Sequence, residues 1–200
     1  MAGTGLRLAE VDGQRLLSAL SAVLAAKRIA SPAEIAAQIA VTDTASPAEG
    51  ARMVAKGWTD PEFRALMLAN GTRAAELLGV SMRGAPPFGV LEDTPDLHHL
   101  VVCTLCSCYP RAVLGYPPFW YKSAAYRARA VRDPRGLLAE WGTVLDAGVK
   151  LRIVDSTADY RWMVLPLRPA GTDGWSAEKL ASLVRETDMI GVTLPRLSDG

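Results

Sequence analysis

Apolar positions over the first eighty residues recur with the period of a helix. Between Leu16 and Ile29, the residues Leu16, Leu17, Leu20, Val23 and Leu24 fall at helical spacing. Ser31-Pro32-Ala33-Glu34 and Ser46-Pro47-Ala48-Glu49 each offer a hydroxyl at the N-cap, proline at the first helical position and glutamate two positions on. These side chains satisfy the free N–H groups of a helix start. Thr59-Asp60-Pro61-Glu62 reads as a third box, with Thr59 as the cap and the proline one position later. Phe63, Leu66 and Met67, then Leu77 and Leu78, carry the pattern past Asn70-Gly71. The helices so predicted are short, alanine-rich and apolar on more than one face. That suits a bundle packing on itself or an arm that grips another subunit.

The pattern changes at Arg83-Gly84-Ala85-Pro86-Pro87, whose glycine and prolines mark a hinge. Leu97 to Val102 is a β-prone run. Val149, Leu151 and Ile153 alternate with Lys150 and Arg152, the period of a half-buried strand. Ser156-Thr157-Ala158-Asp159 supplies a turn and Tyr160 to Leu165 a second strand, so that Asp155 and Arg161 pair across a hairpin. Ser176 caps a final helix running through Arg185. Helices followed by strands and helices predict an α+β protein, with a helical N-terminal arm over 1–84 and a second domain over 85–200.

Charge narrows the functional classes. The chain carries 22 Lys and Arg against 21 Asp and Glu, a net charge of +1, so no global field recruits nucleic acid or an anionic membrane. The apolar run from Leu16 to Ala26 is interrupted by Ser18 and Ser21 and ends at Lys27-Arg28, too short to span a bilayer. Glu10 and Asp12 stand where a secretory signal would be basic. The expectation is a cytoplasmic protein, in which thiols stay reduced unless a metal or an oxidant claims them.

All three cysteines lie in Cys103-Thr104-Leu105-Cys106-Ser107-Cys108. Thiols at i, i+3 and i+5 describe a one-loop site for a soft metal. A disulfide is the simpler alternative, but Cys106 and Cys108 are too close for an unstrained bridge and an odd thiol would remain. Zinc sites commonly draw on a second cysteine pair or on histidines. Here the remaining ligands must come from the loop backbone, from solvent, or from His98 and His99. A structural zinc staple is one outcome, and the absence of a sulfur-to-metal charge-transfer band would reveal it.

The flanks of the loop extend the motif. Val102 to Pro110, Leu114-Gly115-Tyr116-Pro117-Pro118-Phe119-Trp120-Tyr121-Lys122, Tyr126 to Arg135, and Leu165-Pro166-Leu167-Arg168-Pro169-Ala170-Gly171-Thr172-Asp173-Gly174-Trp175 together resemble the nitrile hydratase α subunit, in order over roughly Lys56 to Val192. The resemblance implies a layered α/β/β/α catalytic domain behind the helical extension. It implies a metal claw in which Cys103, Cys106 and Cys108 ligate through sulfur, and Ser107 and Cys108 through deprotonated amide nitrogens. It implies oxidation of Cys106 to sulfinate and Cys108 to sulfenate, with Cys103 a thiolate opposite an open position. Cys106, Ser107 and Cys108 are then the catalytic residues of a hydro-lyase that hydrates a nitrile to its amide. The nucleophile is the Cys108 sulfenate oxygen or a water it activates, and Ser107 orients that oxygen.

Thr104 and Tyr109 match the cobalt-type version of the family, so one cobalt(III) per chain is expected ahead of iron(III). Expected partners are a β-type subunit, as one chain or two smaller ones, a small nitrile, and a metallochaperone or activator. Cys-Tyr-Pro-Arg also resembles the metal-binding subunit of thiocyanate hydrolase. Arg111 stands where two-subunit nitrile hydratases commonly have tryptophan, either as an attractor of a small anion or as a surface charge.

Other residues divide between site and scaffold. His98 and His99 point to opposite faces of an extended strand, as supports or interface residues ahead of direct ligation. Arg127, Arg129 and Arg132 either fix the claw loop or meet the partner, with Asp133 and Glu140 nearby. Pro117, Pro118 and Trp120 shape a pocket edge or a subunit contact.

Overall fold

The computed structural model describes residues 4–197. The chain divides by packing into two compact units, Met1–Thr44 and Ala45–Gly200, whereas the sequence expectation places a division after residue 84. In the first unit α1 (Thr4–Ala26) is followed by α2 (Pro32–Asp43). The Ser31 box forms: Ser31 N–H and Oγ donate to Glu34 Oε2 at 2.7 and 2.8 Å, and Glu34 N–H donates back to Ser31 Oγ at 3.2 Å. Leu16, Leu17, Leu20 and Val23 on α1 are exposed.

The second unit opens with α3 (Pro47–Thr59), α4 (Pro61–Ala69) and α5 (Gly71–Leu77). Ser46 caps α3, accepting from Ala48 N–H at 3.3 Å. The third box differs from expectation, because Asp60 is the cap of α4 and accepts from Phe63 N–H at 2.9 Å. Pro61 takes the first helical position, while Thr59 still belongs to α3 and bonds back to Ala55 O at 3.0 Å. The helical pattern also breaks at Asn70, whose side chain caps α5 through Arg73 N–H.

Strands β1 (Phe88–Glu92) and β2 (Leu97–Val102) follow. The short helices α6 (Arg111–Leu114), α7 (Phe119–Lys122), α8 (Ala124–Arg132) and α9 (Pro134–Glu140) come next, then β3 (Lys150–Asp155) and β4 (Arg161–Leu165). Helix α10 covers only Ala177–Ala181, and a 3-10 turn occupies Asp188–Ile190. Ser176 does cap α10, but the helix expected to reach Arg185 stops earlier. Arg185 instead turns its N–H and guanidinium onto the buried Asp188 carboxylate at 2.8 and 3.1 Å.

The strands form two parallel two-stranded sheets. β1 pairs with β4 from Phe88↔Arg161 to Glu92↔Leu165, and β2 with β3 from Leu97↔Lys150 to Val102↔Asp155. The expected β3–β4 hairpin is therefore absent: the turn joins strands of different sheets, and Asp155 does not pair with Arg161. β2 packs on β4, α4 and α5 cover β1, and α8 covers β2. The result is the α/β/β/α layering. β2 is buried along almost its whole length, His98 and His99 included, whereas β3 alternates from Lys150 to Ile153. Met53, Met67, Phe88, Leu100, Tyr121 and Met163 are all but inaccessible, each apolar side chain stabilising the fold by about 1.5–3 kcal/mol.

Both histidines at the start of β2 turn onto one buried carboxylate. Asp93 Oδ1 accepts from His99 N–H at 2.8 Å and lies 3.0 Å from His99 Nδ1. Asp93 Oδ2 stands 2.8 Å from His98 Nδ1, out of line for a hydrogen bond, and His98 Nε2 donates to Gly191 O at 2.8 Å. Burial pulls the His98 pKa down, but the Asp93 contact and charge and the Gly191 carbonyl outweigh it and hold it above its ordinary value. A raised folded pKa stabilises below the unfolded value, about 6.5, and the benefit is lost as pH rises through the folded pKa. The expected result is a wild-type advantage over His98→Gln in urea midpoint that shrinks as pH rises above neutrality. An advantage independent of pH between 5.5 and 9 would show that the imidazolium contributes nothing.

Candidate metal centre

The claw begins where β2 ends. Strand residues Leu100 to Val102 are locked in the core, Cys103 is the next residue, and the chain turns back through Pro110 into α6. Cys103 and Cys108 are buried while Cys106 is exposed, so the loop has an inner wall and an open side. Leu105, at the loop tip, is 87% exposed.

The three sulfurs converge. Cys103 Sγ to Cys106 Sγ is 3.5 Å, Cys106 Sγ to Cys108 Sγ is 3.3 Å, and all three lie within 4.8 Å of one another. With metal–sulfur bonds of about 2.3 Å, adjacent octahedral sulfurs sit about 3.3 Å apart and tetrahedral ones about 3.8 Å. The observed 3.3 and 3.5 Å are spacings at which these sulfurs can share one ion. The Ser107 and Cys108 amides are turned toward the Cys106 sulfur, and Cys106 N–H lies 3.3 Å from Cys103 Sγ. Contacts with the Cys108 and Cys103 sulfurs, then the Ser107 amide, draw the Cys106 thiol below its ordinary pKa. Burial, with the neighbouring sulfurs, pushes Cys108 up to about 12. Cys106 is the exposed sulfur on the open side, and a bound cation favours the thiolate form of the cysteines around it.

Side chains from distant elements hold the loop from outside. Asp155, at the end of β3, accepts from Thr104 N–H at 3.0 Å and Thr104 Oγ1 at 2.5 Å. Arg127 Nη1, on α8, donates to Leu105 O at 2.9 Å and reaches Thr104 O at 3.4 Å. Tyr121 Oη donates to Cys108 O at 2.8 Å, and Tyr126 Oη to Val101 O at 2.7 Å. Tyr121 also meets Tyr109, Trp120 and Tyr126 with centroids 4.9–5.8 Å apart, and Tyr109 Oη donates to Glu186 at 2.5 Å. The rings form a rigid wall behind Cys108.

Cys103, Cys106, Ser107 and Cys108 thus come together as one cluster. Among the other candidate residues, Arg127 reaches the loop, but Arg129 is held by Glu140 and Asp133. His98 and His99 face Asp93. Arg111 is exposed, its guanidinium 4.3 Å over the Tyr116 ring. Sequence reasoning missed the loop-holding roles of Asp155, Tyr121 and Tyr126. Tyr121 and Tyr126 follow the motif within twenty residues, but Asp155 is about fifty residues from Thr104 and carried no sequence signal toward the loop.

Comparison with known proteins gives the same picture. The family profile described as "Nitrile hydratase, alpha chain" matches residues 12–193. The chain is 48% identical over 180 residues to the low-molecular weight cobalt-containing nitrile hydratase subunit alpha of Rhodococcus rhodochrous, covering 90% of this chain and 87% of the relative. Among solved structures it is similar to a recombinant thiocyanate hydrolase comprising partially modified cobalt centers, with a TM-score of 0.88, 40% identity, and coverage of 92% and 90%. It is also similar to a double mutant of the Fe-type nitrile hydratase from Comamonas testosteroni Ni1, with a TM-score of 0.84, 41% identity, and coverage of 93% and 91%. A cysteine claw at the end of β2, a layered fold shared with these enzymes and a profile match along nearly the whole chain agree: the chain belongs to the nitrile hydratase alpha-chain family.

Proposed function

We propose that this chain is the metal-carrying subunit of a cobalt nitrile hydratase, with one cobalt(III) held by Cys103, Cys106, Ser107 and Cys108. The observation that carries the reading is the convergence of three sulfurs, Cys106 lying 3.3–3.5 Å from each of the other two, with the Ser107 and Cys108 amides turned to the Cys106 sulfur. The cobalt-containing relative supports cobalt, although an iron-type enzyme has the same fold. Bound there, the ion supplies Lewis acidity toward a nitrile nitrogen. The chain's own residues do the rest. Cys106 is a sulfinate and Cys108 a sulfenate, successive oxidation products of the thiol. The Cys108 oxygen attacks the nitrile carbon or takes a proton from the water that does. Ser107 orients that oxygen, and Cys103 closes the inner side.

The exposed loop tip and Phe119, 90% exposed, call for a cover. A β-type partner, as one chain or two smaller ones, completes the pocket and excludes water, and an activator delivers the metal. No helix among the described residues is long and apolar enough to cross a membrane, and we place the assembly in the cytoplasm. A second reading, thiocyanate hydrolysis, rests on the exposed Arg111 over Tyr116. Carbonyl sulfide release with thiocyanate, in place of amide formation from nitriles, would decide for it.

Oxidation is the part most open to test. Plain thiolates donate strongly to the metal and leave it a weaker Lewis acid; oxygen on sulfur withdraws that density and provides a nucleophile. Cobalt loaded without dioxygen into the chain with its partner should give a bound, nearly inactive complex. Air should then restore activity with a mass gain of three oxygen atoms on the claw peptide, two on Cys106 and one on Cys108. Equal rates before and after exposure, with no oxygen gained, would decide for a thiolate mechanism.

A further inference from the structure

Glu186 lies between α10 and the 3-10 turn, on a stretch of chain pinned from both sides. Arg185 N–H donates to Asp188 Oδ2 at 2.8 Å, and Thr187 O accepts from Val192 N–H at 2.9 Å. The Glu186 carboxylate so held is half-buried, and among the described residues no arginine, lysine or histidine pairs with it. Its partner is Tyr109, which is 2% exposed and donates through Oη to Glu186 Oε1 at 2.5 Å. Burying a carboxylate without a countercharge costs stability, so the contact calls for another benefit.

Tyr109 directly follows Cys108. Its ring meets the Tyr121 ring edge-on with centroids 4.9 Å apart, and Tyr121 Oη donates to Cys108 O at 2.8 Å. Contacts therefore run without a gap from Glu186 through two buried rings to the last cysteine of the claw. We propose that Glu186 is a positioning residue for the metal centre: by accepting from Tyr109 it fixes the ring wall behind Cys108, and with it the place of the last sulfur. The proposal rests on the reading of the claw as a metal site. Without the acceptor the buried phenol O–H is left unsatisfied, and the ring must shift to find another partner.

The test is anaerobic titration of the full-length chain with cobalt(II) alone, read through the sulfur-to-cobalt charge-transfer band, with the urea midpoint measured beside it. Glu186→Leu, which has no acceptor, should raise the cobalt Kd about tenfold, the lower end of the loss expected for an outer support of a metal ligand. Tyr109→Phe keeps the ring, removes the hydroxyl and should have a similar effect. The double variant should also stand about tenfold above wild type, because the same bond is lost in all three. Glu186→Gln, as neutral as Leu but still an acceptor, should stay within about threefold.

Single effects that multiply to about a hundredfold in the double variant overturn the proposal, since the two residues then act separately. So does an equal loss in the Gln and Leu variants, which would make charge the relevant feature. A merely structural contact would lower the urea midpoint while the folded variants kept the wild-type Kd, and that result overturns it too. If Glu186→Leu does not fold, Tyr109→Phe and Glu186→Gln carry the test, and a wild-type Kd for Tyr109→Phe decides against the proposal. A wild-type chain that binds no cobalt overturns the metal reading and this proposal with it. The expected pattern of cobalt affinities in a protein that hydrates no nitrile would uphold the proposal and sink only the substrate reading.

Discussion

Cys103→Ala is expected to abolish stoichiometric metal uptake. Cys103 is 1% exposed, stands at the junction of the core strand β2 with the loop, and lies 3.5 Å from Cys106 Sγ and 3.3 Å from Cys106 N. Its sulfur is the inner member of the cluster, and no other thiol exists to replace it. Losing an outer support of a metal ligand costs roughly 10–100-fold in affinity; losing a ligand of the inner triad should cost more. The fold should survive, since the removed atom is small and Asp155, Arg127 and Tyr121 still hold the loop through its backbone and Thr104. Metal content per folded chain is the measurement. A Cys103→Ala protein that kept one cobalt per chain and hydrated nitriles would remove Cys103 from the ligand set.

That the claw could be read from sequence follows from its locality. Its donors lie within six consecutive residues, so spacing alone specifies which atoms can meet. The helix starts at Pro32 and Pro47 were legible for the same reason, because a cap is a contact between residues two or three apart. The boundary at Asp60 was misread by one position: a hydroxyl and a carboxylate stood side by side, and only the placement of Pro61 at the first helical position decides between them. β3 announced itself by alternation. β1 did not, since Phe88-Gly89-Val90-Leu91-Glu92 is short and its pairing with β4 lies more than seventy residues away. The helices α6 and α7 span four residues each, little more than one helical period, and leave no pattern to detect. The hairpin joining Asp155 to Arg161 was the natural inference from a short turn between two strands. Only the parallel pairing of each with a different distant strand overrides it, and that pairing sends Asp155 to the claw and frees Arg161. Long-range partners of local motifs were the part the sequence concealed.

Gly191→Ala should cost far more stability than the same added methyl group costs at Gly171. Gly171 and Gly191 both have φ of +78°, so a side chain at either pays the left-handed backbone cost of about 1–2 kcal/mol. Their surroundings differ. A Cβ at Gly171 would meet only Leu197 Cδ1 at 3.9 Å, ordinary contact, whereas at Gly191 it would lie 1.8 Å from His99 O and 2.9 Å from His99 C. Those are backbone atoms of β2, held in register with β3 and unable to swing aside as a flexible side chain would. Relief requires either moving the 3-10 turn, which breaks the His98 Nε2 bond to Gly191 O, or moving the strand that delivers Cys103. Gly171→Ala should therefore stay within about 2 kcal/mol of wild type, while Gly191→Ala should lose about 4 kcal/mol or more, a large share of a typical domain's 5–15 kcal/mol. Urea unfolding of both variants measures the difference. Equal losses would show that backbone strain accounts for the whole effect and that β2 can yield at His99. If instead Gly191→Ala folds but is strongly destabilised, its cobalt uptake should fall with it, because the displaced strand ends at the first ligand of the claw.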